Sequence, residues 1–237
     1  MSKTDVSLLA ELETGLRDEK TSTTLLLQRC ILLGGKVGSE RLRDWARQEL
    51  RGYDSADAVP EYRRVVAPLC IDGAVFGGYI TGEVISPLAL PEFARGYISE
   101  EVVLAGALGE LEDLSRRPDG VVNLQPPGAQ ELVVLWNHET GGRVTRLYWQ
   151  VSRSTIVGVI TGVRTALAEL VAEMLAAAPD AYQTPTKQAV DDAVHLVLTG
   201  NRNTVTVVGS QAAANGPAIV TVTGNTEQVE EIGRAHV

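Results

Sequence analysis

The chain has 237 residues, a formal net charge of −9, 44% hydrophobic and 22% charged residues. That is enough chain for one large domain or two small ones with a full apolar core, in the proportions of an ordinary globular protein. The acidic balance argues against a protein whose main task is coating nucleic acid, because neutralising phosphates needs clustered Lys and Arg; only a local basic site stays open.

A first helix is predicted over 6–18, where Leu8, Leu9, Leu12 and Leu16 recur at helical spacing. Thr21-Ser22-Thr23 breaks it and offers an N-cap to a second helix over 24–37, apolar nearly all round and therefore central. Gly38 suits a C-cap and Ser39 an N-cap for a third helix that ends at Gly52. An acidic loop over 54–60 follows. From 62 to 86 the β-branched and aromatic residues, punctuated by Asp72-Gly73 and Gly77-Gly78, read as two or three strands in a meander.

Residues 91–95 read as a helical turn, and 100–117 as helical in its second half, where Leu104, Leu108, Leu111 and Leu114 align. A loop is expected over 118–127. The apolar run 131–136 is ambiguous. Leu147, Trp149 and Val151 alternate with Arg146, Tyr148 and Gln150, the pattern of a strand with two unlike faces. The longest helix is expected from Ser154 to about 178. Its Ile156, Ile160, Val163, Leu167, Leu170 and Met174 suit a core stripe or a coiled-coil seam. Arg164, Glu169 and Glu173 interrupt this run, and a membrane span resists such charges.

A linker over 179–185 leads to a helix over 186–199. Two runs then alternate Thr and Val, Thr204-Val205-Thr206-Val207-Val208 and Ile219-Val220-Thr221-Val222-Thr223, with a Thr-Gly-Asn triplet at each outer edge. Exposed strands of this kind find partners, so the segment 200–225 is expected to pair with a second copy or another protein. Residues 232–237 translate one frame of a common short-read sequencing adapter and are set aside, the alternative being a natural polar tail. On the adapter reading the chain is truncated and the natural protein continues past Glu231.

Cys30 and Cys70 form no CxxC pair, so they give neither a zinc nor a redox motif and read as buried thiols in a reducing compartment. Residues 1–20 lack the apolar stretch of a secretory signal. A cytoplasmic protein with no membrane partner is expected. Gly34-Gly35-Lys36-Val37-Gly38-Ser39 lacks phosphate-loop spacing and follows a helix rather than a strand. His138 beside Glu139 is an isolated neighbour pair, and His195 sits on an apolar helix. No metal site and no cofactor are expected.

The third helix carries the main candidate. Leu42, Trp45, Ala46, Leu50 and Tyr53 share one stripe, and Glu49 lies on it. A carboxylate there must be partly buried and needs a cation or several donors. Arg63 or Arg64 could supply them. Such a pair staples a fold or recognises a ligand. Arg43, Arg47 and Arg51 line another face, but Glu40, Asp44 and Asp54 bring the local charge near zero, the sign of a solvated face.

The order Leu42, Trp45, Glu49-Leu50, Gly52-Tyr53, then an acidic loop and Pro60-Glu61-Tyr62-Arg63, resembles the opening of the AbiTii domain of bacterial abortive-infection proteins. Tyr148-Trp149-Gln150-Val151-Ser152 leading into the long helix is similar too, whereas Gly34-Gly35 departs from the family's usual Ala-Ser-like residues at the end of the second helix. The resemblance implies phage defence and carries no agreed catalytic residues. The chain is thus expected to hold an α+β domain over 1–178, with an N-terminal helical bundle packed on a small, mostly antiparallel sheet and a long central helix. A linker and helix over 179–199 and a short β-segment over 200–231 complete it. A sensing, regulatory or assembly module without its own catalysis is the leading reading. A toxin enzyme acting on nucleic acid or nucleotides, with Glu49 as its acid, is the alternative.

Overall fold

The computed structural model describes residues 7–177 and 184–199. In chain order the elements are helices α1 (Leu8–Arg17), α2 (Thr23–Val37) and α3 (Glu40–Arg51), then strands β1 (Arg64–Val66), β2 (Leu69–Val75), β3 (Gly78–Ile85) and β4 (Glu101–Val103). Helix α4 (Leu108–Ser115), strand β5 (Val121–Leu124), helix α5 (Ala129–Thr140), strand β6 (Val144–Ser152) and helices α6 (Arg153–Ala177) and α7 (Lys187–Thr199) follow. The fold is α+β. β3-β2-β6-β5 form one antiparallel sheet, and β1 pairs with β4 in a separate ribbon.

Each of the first three helices starts on a serine whose side chain accepts a bond from the first turn: Ser7 from Ala10, Ser22 from Leu25 and Ser39 from Leu42. These caps satisfy amides that the helix itself leaves open. α1, α2, α3, α6 and α7, with Leu108 of α4, bury one shared apolar cluster, to which α7 contributes Val190, Ala193, Val194 and Val197. α6 is the hinge pin of the architecture. Its C-terminal half lies in the helical cluster, while Ile156 and Val159 join Val102, Leu111 and Val151 under the strands. By length and composition alone α6 could cross a bilayer. Its stripe of Ile156, Val163, Leu167, Leu170 and Met174 is instead core. Arg164 donates to the carbonyls of Gly15, Leu16, Asp18 and Thr21, so it closes the open end of α1.

Ser39 also ties α7 down. Its hydroxyl donates to Asp191 Oδ1 at 2.6 Å, and Lys187 lies 3.1 Å from the other oxygen. The Ser39 bond, more than Lys187, holds the Asp191 carboxyl below the ordinary aspartate range. Ser39→Ala removes both the cap and the tether and is expected to cost about 1–2 kcal/mol in urea unfolding at pH 7. A depressed folded pKa adds stability above the unfolded value and loses it as pH falls through the folded one. The gap between wild type and Ser39→Ala should therefore narrow below about pH 4.

Several segments differ from their sequence reading. The expected loop at 118–127 holds β5, a four-residue strand that among the described residues pairs with β6 alone, too short to show alternation between its flanking prolines. The ambiguous run 131–136 is helix α5, bracketed by Gly128 and Gly141 and fastened to β6 where Asn137 bonds both backbone groups of Val144. Leu104 lies ahead of α4, in the connection between β4 and that helix. Tyr148, read as part of the polar face, is 2% exposed.

Asp72 explains Tyr148. Its Oδ1 accepts from the Tyr148 hydroxyl and from Gly82 N, both at 2.9 Å, and Oδ2 accepts from Arg146 at 3.3 Å. The register of β2 with β3 shifts between Ile71 and Gly73, and that of β2 with β6 between Asp72 and Gly73. Two bulges thus lie side by side across the sheet, and Asp72 fastens both. Gly82, at φ 69, takes the left-handed conformation a bulge can require. The β-runs at 204–208 and 219–223, and residues 232–237, lie outside the described residues.

Candidate functional site

The arrangement around Glu49 begins with the register of α3. Leu42, Trp45, Ala46 and Glu49 all fall on its buried face, so burial of apolar neighbours carries the carboxylate into the core. Glu49 and Arg63 side chains are both 0% exposed and lie 2.7 Å apart. Burying a charge is costly unless it is paired and fully hydrogen-bonded, and every donor and acceptor here is used.

Glu49 Oε1 accepts from the hydroxyls of Tyr53 at 2.5 Å and Tyr62 at 2.6 Å. Oε2 accepts from Arg63 Nε at 3.0 Å and Nη2 at 2.7 Å. Nη2 also reaches the Glu49 carbonyl at 3.4 Å. Nη1 donates to the carbonyls of Leu104 at 2.8 Å and Gly106 at 2.7 Å. The five N–H groups of a guanidinium are thereby all engaged. The Arg63 guanidinium also stands 5.2 Å from the centre of the Tyr53 ring, within cation–π range. Trp45 Nε1 donates to the Tyr62 hydroxyl at 3.0 Å and extends the network into the helical cluster.

Two glycines permit the close approaches. Gly52, at φ 95, ends α3 against the segment after β4, and a Cβ there would stand 2.8 Å from the Ala105 carbonyl. Tyr53 N donates to that same carbonyl at 2.9 Å. Gly162 of α6 leaves room for Tyr62, to whose Cβ an added methyl would come within 3.0 Å. The network therefore binds α3, the turn ahead of β1, the segment after β4 and α6 to one another.

Burial, reinforced by the negative charge of Glu49, pushes the Tyr53 and Tyr62 hydroxyls well above the usual tyrosine range. Both remain protonated donors at neutral pH. The chemistry of the cluster is that of a closed joint: donors meet acceptors and no valence points outward. Among the described residues no group of His, Cys, Asp or Glu side chains is placed to hold a metal ion.

Of the residues singled out from sequence, Trp45, Glu49, Tyr53 and Arg63 come together. Arg64 does not join them. It turns to the surface, 3.1 Å from Glu101 and 2.7 Å from the Ala56 carbonyl. Tyr62, quoted only as part of the motif, is the member that sequence reasoning passed over; an aromatic hydroxyl beside Arg63 was the available signal. The arginines of the outer face of α3 are paired locally, Arg43 with Glu40 and Arg47 with Asp44. His138 is exposed at the end of α5.

In comparison with protein families, the AbiTii model aligns with residues 7–196. Neither a curated protein nor a solved structure matches the chain.

Proposed function

We infer that this chain, which belongs to the AbiTii family, is a sensing, regulatory or assembly module of an abortive-infection system rather than its catalyst. Abortive infection, an antiviral defence, comes with the family. The finer reading rests on one observation, the complete enclosure of Glu49. A general acid or base must reach the proton it transfers within hydrogen-bond distance, directly or through one water. Both Glu49 oxygens are already occupied by core donors. The residue best placed by sequence to serve a toxin enzyme is therefore spent on architecture.

Glu49→Gln separates the two readings when the full chain is expressed in a phage-susceptible bacterium. Phage protection, or growth arrest if the chain causes it, should fall in step with the folded fraction measured by urea unfolding, and should return at lower growth temperature. A Glu49→Gln protein that is fully folded and fully inactive would favour the enzyme reading instead.

A further inference from the structure

Among the described residues, half of the large apolar side chains that are more than half exposed lie together at one edge of the four-stranded sheet, while the others, Leu32, Val66, Tyr97, Val134 and Leu135, are spread over other elements. Val75, Phe76, Tyr79, Val84 and Leu88 are each more than half exposed, and all belong to the hairpin of β2 and β3 or the turn just after it. Among the described residues β3 pairs with β2 alone. Its sequence, Gly78-Tyr79-Ile80-Thr81-Gly82-Glu83-Val84-Ile85, has a single charge and neither Lys nor Pro. Those are the side chains that most often guard an open edge.

We propose that β3 pairs antiparallel with β3 of a second copy of this chain, Tyr79 of each lying opposite Val84 of the other about a twofold axis between Thr81 and Gly82. The bulge makes this register possible. Residues five apart in a regular strand point to opposite faces and lie in opposite phases of the backbone ladder. The extra residue of β3 opposite Asp72 cancels that offset. Tyr79 therefore pairs with Ala74, and Val84 with Cys70, four residues apart on β2 and so on one face. Because both copies carry the bulge, each has the same residues between Tyr79 and Val84, and the register between the copies needs no compensation.

The twofold also matches side chains. It sets an aromatic against a β-branched residue twice, a favourable cross-strand pair. Glu83 meets Ile80 rather than its own copy, so like charges are kept apart. The hairpin tip at Phe76 is carried to the far end of the partner strand, next to which Leu88 lies exposed. Two buried rings per copy, at about 150–250 Å² each, together with Val75, Val84 and Leu88, bring the total toward the roughly 1,200 Å² at which stable interfaces begin. A second copy satisfies all of these features at once. The inference does not depend on the defence reading.

Sedimentation velocity of the full chain tests it. Wild type should sediment as a dimer at micromolar concentration. Tyr79→Lys with Val84→Lys should weaken association on the order of a hundredfold without lowering the melting temperature. Mixed Tyr79→Cys and Val84→Cys proteins should cross-link to each other under mild oxidation, whereas neither alone should, since like positions lie about 15 Å apart along the strands. Cys30 is buried and does not compete, and Cys70, which lies directly opposite Val84 on β2, is replaced by Cys70→Ala in both proteins. A wild-type monomer, including one whose own C-terminal segment covers β3, overturns the proposal. So does a dimer that survives both lysines and gives no mixed disulfide.

Discussion

Arg63→Met is expected to destabilise the domain by about 3–5 kcal/mol, the range for breaking a buried ion pair from one side. Methionine keeps much of the volume of the arginine stem, so lost packing is a minor part of the effect. What remains is a Glu49 carboxylate with no countercharge and the Leu104 and Gly106 carbonyls without their donor. Each buried unsatisfied group adds its own desolvation cost. Against a total stability of roughly 5–15 kcal/mol, this should lower the melting temperature by about 10 °C or more. Arg64→Met supplies the comparison. The neighbouring arginine makes surface contacts only, and its loss should stay within about 0.5 kcal/mol. Urea unfolding of the two variants side by side checks the contrast, and equal costs would mean that burial of Arg63 carries no special weight.

Trp45→Ala is the second large effect, expected at about 3–5 kcal/mol. The indole is buried in the cluster shared by α1, α2, α3, α4, α6 and α7, where truncation opens a cavity that several helices would have to close together. Its Nε1–H also orients the Tyr62 hydroxyl toward Glu49. Trp45→Phe separates these contributions. It keeps most of the apolar contact and removes the donor, at an expected cost of about 1–2 kcal/mol. Thermal unfolding of both variants gives the ordering; a Trp45→Ala protein as stable as wild type would move the indole out of the core.

Much of the helical layer could be read in advance, because serine caps and three-and-four spacing are local signals. Ser22 and Ser39 start helices where the sequence places them. Glu49 was visible as a carboxylate on an apolar stripe for the same reason. Its partner was not decidable. The 3-10 turn Glu61–Arg63 sets the phase between α3 and β1, and a one-residue change in that phase exchanges Arg63 for Arg64. The carbonyls of Leu104 and Gly106 approach from a segment about forty residues downstream, and backbone acceptors leave no mark in a sequence.

The sheet was harder to read. Asp72-Gly73 looks like turn punctuation, yet it lies inside β2, where a Cβ at Gly73 would stand 2.9 Å from the Arg143 carbonyl. Asp72 is buried because two bulges aim donors at it. Only pairing across three strands makes that visible.

The Arg63 guanidinium is sealed in the core by α3, the turn ahead of β1 and the segment after β4. Hydrogen exchange at Arg63 Nε, followed by ¹⁵N NMR, tests it without altering the protein. That proton should exchange as slowly as the most protected backbone amides of α3 and α6, through global unfolding alone. Exchange at the rate of a surface arginine such as Arg51, with the fold intact, would contradict a closed joint and return Glu49 to the list of groups a substrate could reach.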